Sequence, residues 1–134
     1  MSPSKYLESL RVAIDASSIV TSHRITRQTI SEVDAHIRAI VTFEDKSRLE
    51  LMEYVRTTTG GGIEVNRYSF HWMDADNHLR ARWDNAEHYP MLPNFPHHRH
   101  DGDEKNVLPG EPMDLFKVLD IITGQLKKTN TGQQ

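Results

Sequence analysis

The chain contains no cysteine, no long hydrophobic run and little net charge. Without cysteine it forms no disulfide, no zinc–thiolate site and no thiol nucleophile. No apolar run approaches the roughly 20 residues of a membrane span, and the first residues do not resemble a signal peptide. A formal net charge of -3 does not by itself favour binding to nucleic acid. These absences predict a soluble, cytoplasmic protein that makes no use of a membrane.

Histidine, by contrast, is concentrated in one part of the chain. Six of the eight histidines fall between positions 71 and 100, and three of them stand in the string FPHHRH at 95–100. Histidine is the side chain whose ordinary pKa lies near neutral pH, so a cluster can transfer protons, hold a metal ion or bind phosphate. The segment 67–100 also holds four arginines against four acidic residues. We therefore interpret this segment as the functional part of the protein.

The two ends of the chain predict helices. Ser2 followed by Pro3 is typical of a helix start, and apolar residues at helical spacing continue to about Asp15. Near the other end, an apolar stripe with helical period predicts a second helix that begins at about Pro112 and ends near Leu126. The polar residues 127–134 predict a disordered tail.

The middle of the chain predicts a sheet. Alternating apolar and polar residues indicate five strands, over about 18–26, 33–43, 49–55, 63–73 and 78–84. Prolines at 90, 93 and 96 then favour an extended arm rather than a strand. The expected fold is a single α+β domain over residues 1–126. It has a five-stranded antiparallel meander, with one face covered by an N-terminal and a C-terminal helix.

The sharpest structural prediction concerns the hairpin around a four-residue loop at 74–77. Such a loop pairs Met73 with His78 and Arg67 with Asp84, and this register sorts the side chains by type. One face is apolar and consists of Tyr68, Phe70, Trp72, Leu79, Ala81 and Trp83. The other face is polar and consists of Arg67, Ser69, His71, Arg80, Arg82 and Asp84. The arm is expected to return its histidines over the polar face.

Three strings in this region resemble those of one known family. They are YSFHWMDAD at 68–76, LRARWDNAEH at 79–88 and LPNFPHHRH at 92–100. Together they are similar to the TumE-like toxin family, and the similarity extends from Tyr6 to the last helix. The resemblance implies the toxin of a prokaryotic type II toxin–antitoxin pair. Its partner is then a cognate antitoxin, usually a helix-turn-helix protein.

The favoured chemistry is RNA cleavage without a required cofactor. The 2′-hydroxyl must lose a proton and the leaving 5′-oxygen must gain one, and two histidines in opposite protonation states can do both. Arginines would bind the phosphate and stabilise the charge that develops on it. The candidate catalytic residues are His71, Asp84, His88, His97, His98 and His100. The candidate substrate-binding residues are Arg67, Arg80, Arg82 and Arg99.

Two alternatives stay open. In one, a divalent metal ion is the cofactor. His98 and His100 point to the same side of an extended arm, His97 points elsewhere, and His88 or Asp84 completes a three-ligand site. In the other, the toxin is not catalytic, and its basic face binds an acidic partner or a phosphate-containing ligand. Whether the protein forms a homodimer is left open. The remaining histidines, which are assigned no role, are His23, His36 and His78.

Overall fold

The computed structural model describes residues 1–132. The elements follow in the order α1 Pro3–Ala16, β1 Val20–Ile30, β2 Asp34–Phe43, β3 Arg48–Thr57, β4 Ile63–Met73, β5 Leu79–Asp84, β6 His98–Asp101, β7 Val107–Pro109 and α2 Leu115–Gly132. The strands form one antiparallel sheet in which each strand pairs with the next along the chain. The fold is α+β, but the prediction of five strands is wrong because the sheet has seven.

The two additional strands lie in the region that was interpreted as an arm and an acidic segment. β6 has four residues and β7 has three, too few for an alternating pattern to be recognised. Gly102 turns the chain between them with φ of +71°, a left-handed conformation that glycine adopts without strain. Pro109 lies in β7 at the edge of the sheet, where a missing N–H interrupts no ladder.

Both helices pack on the same face of the sheet, which we call the inner face. In α1, Ser2 caps the helix by accepting a hydrogen bond from the N–H of Lys5 at 3.1 Å. α2 continues to Gly132 and so includes the start of the segment for which a disordered tail was predicted; residues 133–134 lie outside the described residues. The apolar residues that the helices contribute to the core are Tyr6, Leu7, Leu10, Ile14, Leu115, Val118, Leu119, Ile122 and Leu126.

One carboxyl group is buried within this core. The side chain of Glu53 is fully buried; one oxygen accepts a hydrogen bond from Tyr6 Oη at 2.6 Å and the other from the N–H of Leu115 at 2.8 Å. Burial raises the pKa of Glu53 to about 7, and the two hydrogen bonds only partly oppose this rise. Glu53 thus connects β3 to α1 and to the first residue of α2.

The opposite side of the sheet, which we call the outer face, is polar. The predicted division of the β4–β5 hairpin between the faces is retained for β4 and for residues 81–84, but the predicted register is wrong. Phe70 pairs with Trp83 and Trp72 with Ala81, whereas Met73 pairs with Leu79. The first two pairs are displaced by two residues from the prediction, and a displacement by two keeps each side chain on its face. A bulge at Arg80 separates them from the Met73–Leu79 pair, which is displaced by one, so Leu79 and Arg80 do not keep their predicted faces.

Among residues 1–132, no helix is both long enough and apolar enough to cross a lipid bilayer.

Candidate functional site

Three basic side chains form one row across the outer face. His71 of β4 is opposite Arg82 of β5, and Arg82 is opposite His100 of β6. Because opposed residues on neighbouring strands point to the same face, a guanidinium group lies between two imidazoles. Neighbouring strands are about 4.8 Å apart, so the backbones of the two histidines are about 10 Å apart. We call these three residues the basic row.

Asp84 lies beside the basic row and is almost fully buried. Its Oδ1 is 2.9 Å from His98 Nε2 and accepts a hydrogen bond from the N–H of Ala86 at 3.0 Å. Its Oδ2 is 3.1 Å from Arg82 Nε. The Nε–H bond is not aimed at that oxygen, so within the described residues it has no hydrogen-bond partner although the two charges are in contact. Asp84 therefore holds Arg82 mainly through its charge.

The ring of His98 lies between two oxygen acceptors. Its Nδ1 is 3.0 Å from the carbonyl oxygen of Pro96, and its Nε2 is 2.9 Å from Asp84 Oδ1. The Asp84 carboxyl group is also next to Arg82 and accepts from the N–H of Ala86. His98 and Asp84 thus form a buried pair that is fixed at both ends.

His100 has a different pattern. Its Nδ1 donates to the carbonyl oxygen of Glu104 at 2.8 Å, and the Glu104 carboxylate is 3.6 Å from the same nitrogen. The carboxylate also lies 3.8 Å from Arg82 Nη1. The second ring nitrogen of His100 is not engaged by these contacts. Glu104 thus faces two members of the basic row.

His71 is held in the neutral form. Burial lowers the pKa of His71, and the positive charge of Arg82 lowers it further, with a smaller contribution from His100. The carboxylates of Glu104 and Glu50 oppose this shift without reversing it. The side chain is half-buried, so it is accessible from solvent. The basic row thus places a neutral histidine on one side of Arg82 and a histidine next to the Glu104 carboxylate on the other.

Tyr89, in the arm, covers part of this site. Its ring centroid is 4.9 Å from that of His98 and 6.1 Å from that of His100, both in edge-on contact. His98 is only 2% exposed and His100 5% exposed, whereas the side chain of Arg82 is 36% exposed. A ligand that approaches the outer face therefore meets Arg82 and His71 first.

The same cluster has the composition of a metal site. Asp84, His98 and His100 each offer one ligand atom, and these atoms lie within 4.8 Å of one another. Both histidines direct Nδ1 at a backbone carbonyl, as metal-binding histidines do, which leaves Nε2 for an ion. The positive charge of Arg82 against Asp84 opposes a divalent cation there. An ion would have to replace the hydrogen between His98 and Asp84.

Three of the predicted site residues lie away from the cluster. Arg80 is at the bulge, with Nη1 2.6 Å from Asp45 Oδ2 and its guanidinium over the ring of Trp72 on the inner side. His97 and Arg99 alternate with His98 and His100 along the chain, and so they face inward. His97 Nδ1 is 2.8 Å from Tyr68 Oη, and burial lowers the pKa of its ring. Arg99 is opposite the core residue Trp83.

Two other predicted residues lie near the cluster but are not part of it. Arg67 is on the outer face opposite Tyr54, with its guanidinium carbon 5.1 Å from the centre of that ring. His88 is exposed in the arm, and its ring centroid is 6.3 Å from that of Tyr89. The predicted residues that the structure does bring together are His71, Arg82, Asp84, His98 and His100.

Sequence reasoning missed two residues of the site. Glu104 is four residues after His100, in the turn between β6 and β7, and recognition of a turn at Gly102 would have placed it beside the histidines. Tyr89 precedes a proline in the arm, and no local pattern indicates that its ring returns to the sheet. Its contacts depend on the path of the whole arm.

Comparison with known protein families supports the resemblance to the TumE-like toxin family. A family model described as toxin TumE matches residues 10–128, a segment that contains every strand and the entire cluster. No curated protein and no solved structure matches the chain. The family is one of toxins, which implies an antitoxin as partner. On the extent of this match, the chain belongs to the TumE toxin family.

Proposed function

We propose that this protein is a toxin that cleaves RNA by acid–base catalysis at the basic row, in the cytoplasm. The observation that carries the proposal is the order of His71, Arg82 and His100 across three neighbouring strands. A phosphate bound to the central guanidinium would have one imidazole on each side. Cleavage of a ribose phosphodiester needs a base on one side of phosphorus and an acid on the other.

His71 is the base in this scheme. Its lowered pKa keeps the ring neutral at neutral pH, so it can accept the proton of the ribose 2′-hydroxyl. The 2′-oxygen then attacks phosphorus, and the bond between phosphorus and the 5′-oxygen breaks. The products are a 2′,3′-cyclic phosphate and a 5′-hydroxyl. A substrate without the 2′-hydroxyl cannot follow this course.

His100 is the acid. Its Nδ1 is fixed by the Glu104 carbonyl, and the nearby carboxylate stabilises a charged ring. The other nitrogen then has a hydrogen to give to the departing 5′-oxygen. Because Tyr89 lies against this ring, substrate must displace or slide past Tyr89 to reach it.

Arg82 binds the phosphate and stabilises the charge that develops in the transition state. Asp84 and His98 are positioning residues, because Asp84 contacts both His98 and Arg82 and so holds the guanidinium in place. A cognate antitoxin of the helix-turn-helix class would restrain the toxin by covering Arg82 and His71. That cover would block the exposed part of the site.

The test uses purified protein with total RNA and with a defined single-stranded RNA oligonucleotide. We expect cleavage that leaves cyclic phosphate ends, and a loss of 10²–10⁴-fold in rate in the variants His71→Gln and His100→Gln. The matched control is His78→Gln, because His78 is an exposed histidine of the β4–β5 loop. This variant should cleave RNA at the wild-type rate. Thermal melting confirms that each variant is folded.

Three outcomes separate the proposal from its alternatives. Cleavage that survives a chelator supports acid–base catalysis. In that case the rate should fall as His71 becomes protonated, at a pH below the ordinary histidine pKa of 6.5. Cleavage that a chelator abolishes and one divalent ion restores would favour a metal ion held by Asp84, His98 and His100. No cleavage of RNA, with toxicity unchanged in His71→Gln, would indicate a non-catalytic toxin.

A further inference from the structure

The arginines of the sheet fall into two groups according to their partners. Near the site, Arg80 and Arg82 each contact a carboxylate, and Arg48 donates to Asn77. On β1 and β2, Arg27 and Arg38 make no ion pair and no side-chain hydrogen bond within the described part of the chain. Unpaired arginines on a surface are available to an external anion.

These two arginines also face each other. Arg27 on β1 is directly opposite Arg38 on β2, and both side chains are exposed. Like charges placed opposite each other across a strand pair are destabilising. The sheet therefore concentrates positive charge at a position where that charge does not stabilise the fold. A bound anion would turn this repulsion into a favourable interaction.

Arg67 and His36 extend the same surface. Arg67 lies over Tyr54, which is opposite His36 in the sheet. Burial lowers the pKa of His36, and the charges of Arg38, Arg27 and Arg67 lower it further. His36 Nδ1 is buried and has no hydrogen-bond partner among the described residues.

This surface is continuous with the basic row. From Arg38, the sheet leads across Met52 and Ser69 to Asp84, each opposite the next in the strand pairing. Arg82 lies two residues along β5 from Asp84, so the backbones of Arg38 and Arg82 are about 16 Å apart. A single phosphate cannot reach both, whereas a chain of several phosphates can.

We propose that Arg27, Arg38 and Arg67 form a track that binds the backbone of single-stranded RNA on one side of the scissile phosphate at Arg82. This inference rests on the proposed function and names its substrate as an extended strand rather than a mononucleotide or a dinucleotide. The track contacts phosphates, so it favours length over sequence. Ion release from the strand makes such binding depend on salt.

The test measures the affinity of fluorescently labelled 2′-O-methyl RNA, which lacks the free 2′-hydroxyl and so is not cleaved. The ligands are a 12-nucleotide strand and a dinucleotide. In the double variant Arg27→Gln, Arg38→Gln, we expect Kd for the longer strand to rise at least tenfold. The slope of log Kd against log salt should fall by about 1.4, because two phosphate contacts are lost. Affinity for the dinucleotide should not change.

The matched control removes the same charge from the helices. Lys5→Gln with Lys128→Gln alters two exposed lysines of α1 and α2 and should leave Kd for the longer strand unchanged. A second variant, Arg27→Glu, places opposite charges across the β1–β2 pair. It should melt no lower than the wild type and yet bind the longer strand more weakly, so a loss of affinity cannot be ascribed to unfolding.

The outcomes distinguish this inference from the proposed function. Normal binding of the 12-nucleotide strand by the arginine variants, or an equal loss in the lysine variant, overturns the track even if RNA is cleaved. Weak binding in the arginine variants, with no cleavage of unmodified RNA by the wild type, supports the track and removes the proposed catalysis. Arginine variants that bind RNA normally but no longer bind the antitoxin would identify a protein interface instead.

Discussion

Glu53 on the inner face and Asp84 on the outer face are both buried carboxylates, yet their surroundings differ. Glu53 has neutral partners, a phenol and a backbone N–H. Asp84 contacts the guanidinium of Arg82 and the ring of His98. A carboxylate with only neutral donors is stabilised too little to offset its desolvation, so burial raises the pKa of Glu53 to about 7. Asp84, by contrast, has a guanidinium in contact with it.

The difference also concerns what each carboxyl group connects. The inner face tolerates Glu53 because a proton can neutralise it, and the two bonds it accepts connect three elements of the fold. On the outer face, Asp84 contacts Arg82, which lies between His71 and His100 in the basic row. A buried carboxyl group beside a guanidinium is costly to the fold, and such groups cluster at functional sites.

The largest expected effect comes from removal of the Asp84 charge. Asp84→Asn leaves the buried ring of His98 and the guanidinium of Arg82 without a countercharge. The free energy of unfolding should fall by about 3–5 kcal/mol, as for other broken buried ion pairs. Urea unfolding at pH 7 measures it. Asp15→Asn is the control, because the contact of Asp15 with His23 is exposed and should change stability by less than about 0.5 kcal/mol. A similar decrease in the free energy of unfolding in Asp84→Asn and Asp15→Asn would contradict a special role of the buried Asp84 contacts.

The next effect is the pH dependence that Glu53 imposes. The folded protein holds a proton on Glu53 up to about pH 7, whereas the unfolded chain releases it near the ordinary value of 4.5. The stabilisation is therefore complete below about pH 4.5 and is lost as the pH rises to about 7. The loss is roughly 3 kcal/mol. Urea unfolding between pH 4.5 and 8 measures it.

The variant Glu53→Gln isolates this contribution. An amide can donate to Tyr6 Oη and accept from the N–H of Leu115, so it imitates the protonated acid at every pH. It should therefore be more stable than the wild type at pH 8, and the decline between pH 4.5 and 7 should become smaller. The exposed Glu64→Gln is the control and should keep the wild-type decline. Parallel curves for Glu53→Gln and the wild type would contradict a neutralised Glu53.

The smallest effect concerns the phenol. Tyr6→Phe removes the hydrogen bond to Glu53 and should reduce stability by about 1–2 kcal/mol, with a greater loss at pH 8, where the carboxylate is charged. Tyr54→Phe removes a hydrogen bond of similar length to Asp34, but on the exposed outer face. A smaller change is expected there, and thermal melting at pH 5 and 8 compares the two. An equal loss in both would show that burial does not strengthen the Tyr6 contact.

The division of the hairpin into two faces was predictable because alternation is local. Tyr68, Phe70 and Trp72 face the core and His71 faces outward whatever the pairing partner is. The same alternation separates His97 from His98. The register itself was not predictable, because no local pattern indicates the bulge at Arg80, whose side chain contacts Asp45 and Trp72.

The strand number and part of the site were beyond local patterns for the same reason. β6 becomes a strand by pairing with the edge of β5, and β7 by pairing with β6; their own sequences are too short to indicate it. The sequence did indicate, through residue type and clustering, that His71, Arg82, Asp84, His98 and His100 lie together. It did not separate the buried positions from the accessible ones, since burial depends on how Tyr89 crosses the sheet.

The hydrogen between His98 Nε2 and Asp84 Oδ1 lies in a place that solvent does not reach. Such a hydrogen exchanges with water only when the covering segment lifts, and it gives a low-field proton resonance apart from the amide signals. Its exchange rate therefore reports how often the ring of Tyr89 leaves the pair. This one NMR signal would therefore measure how often Tyr89 uncovers the His98–Asp84 pair, in the toxin alone and in its complex with the antitoxin.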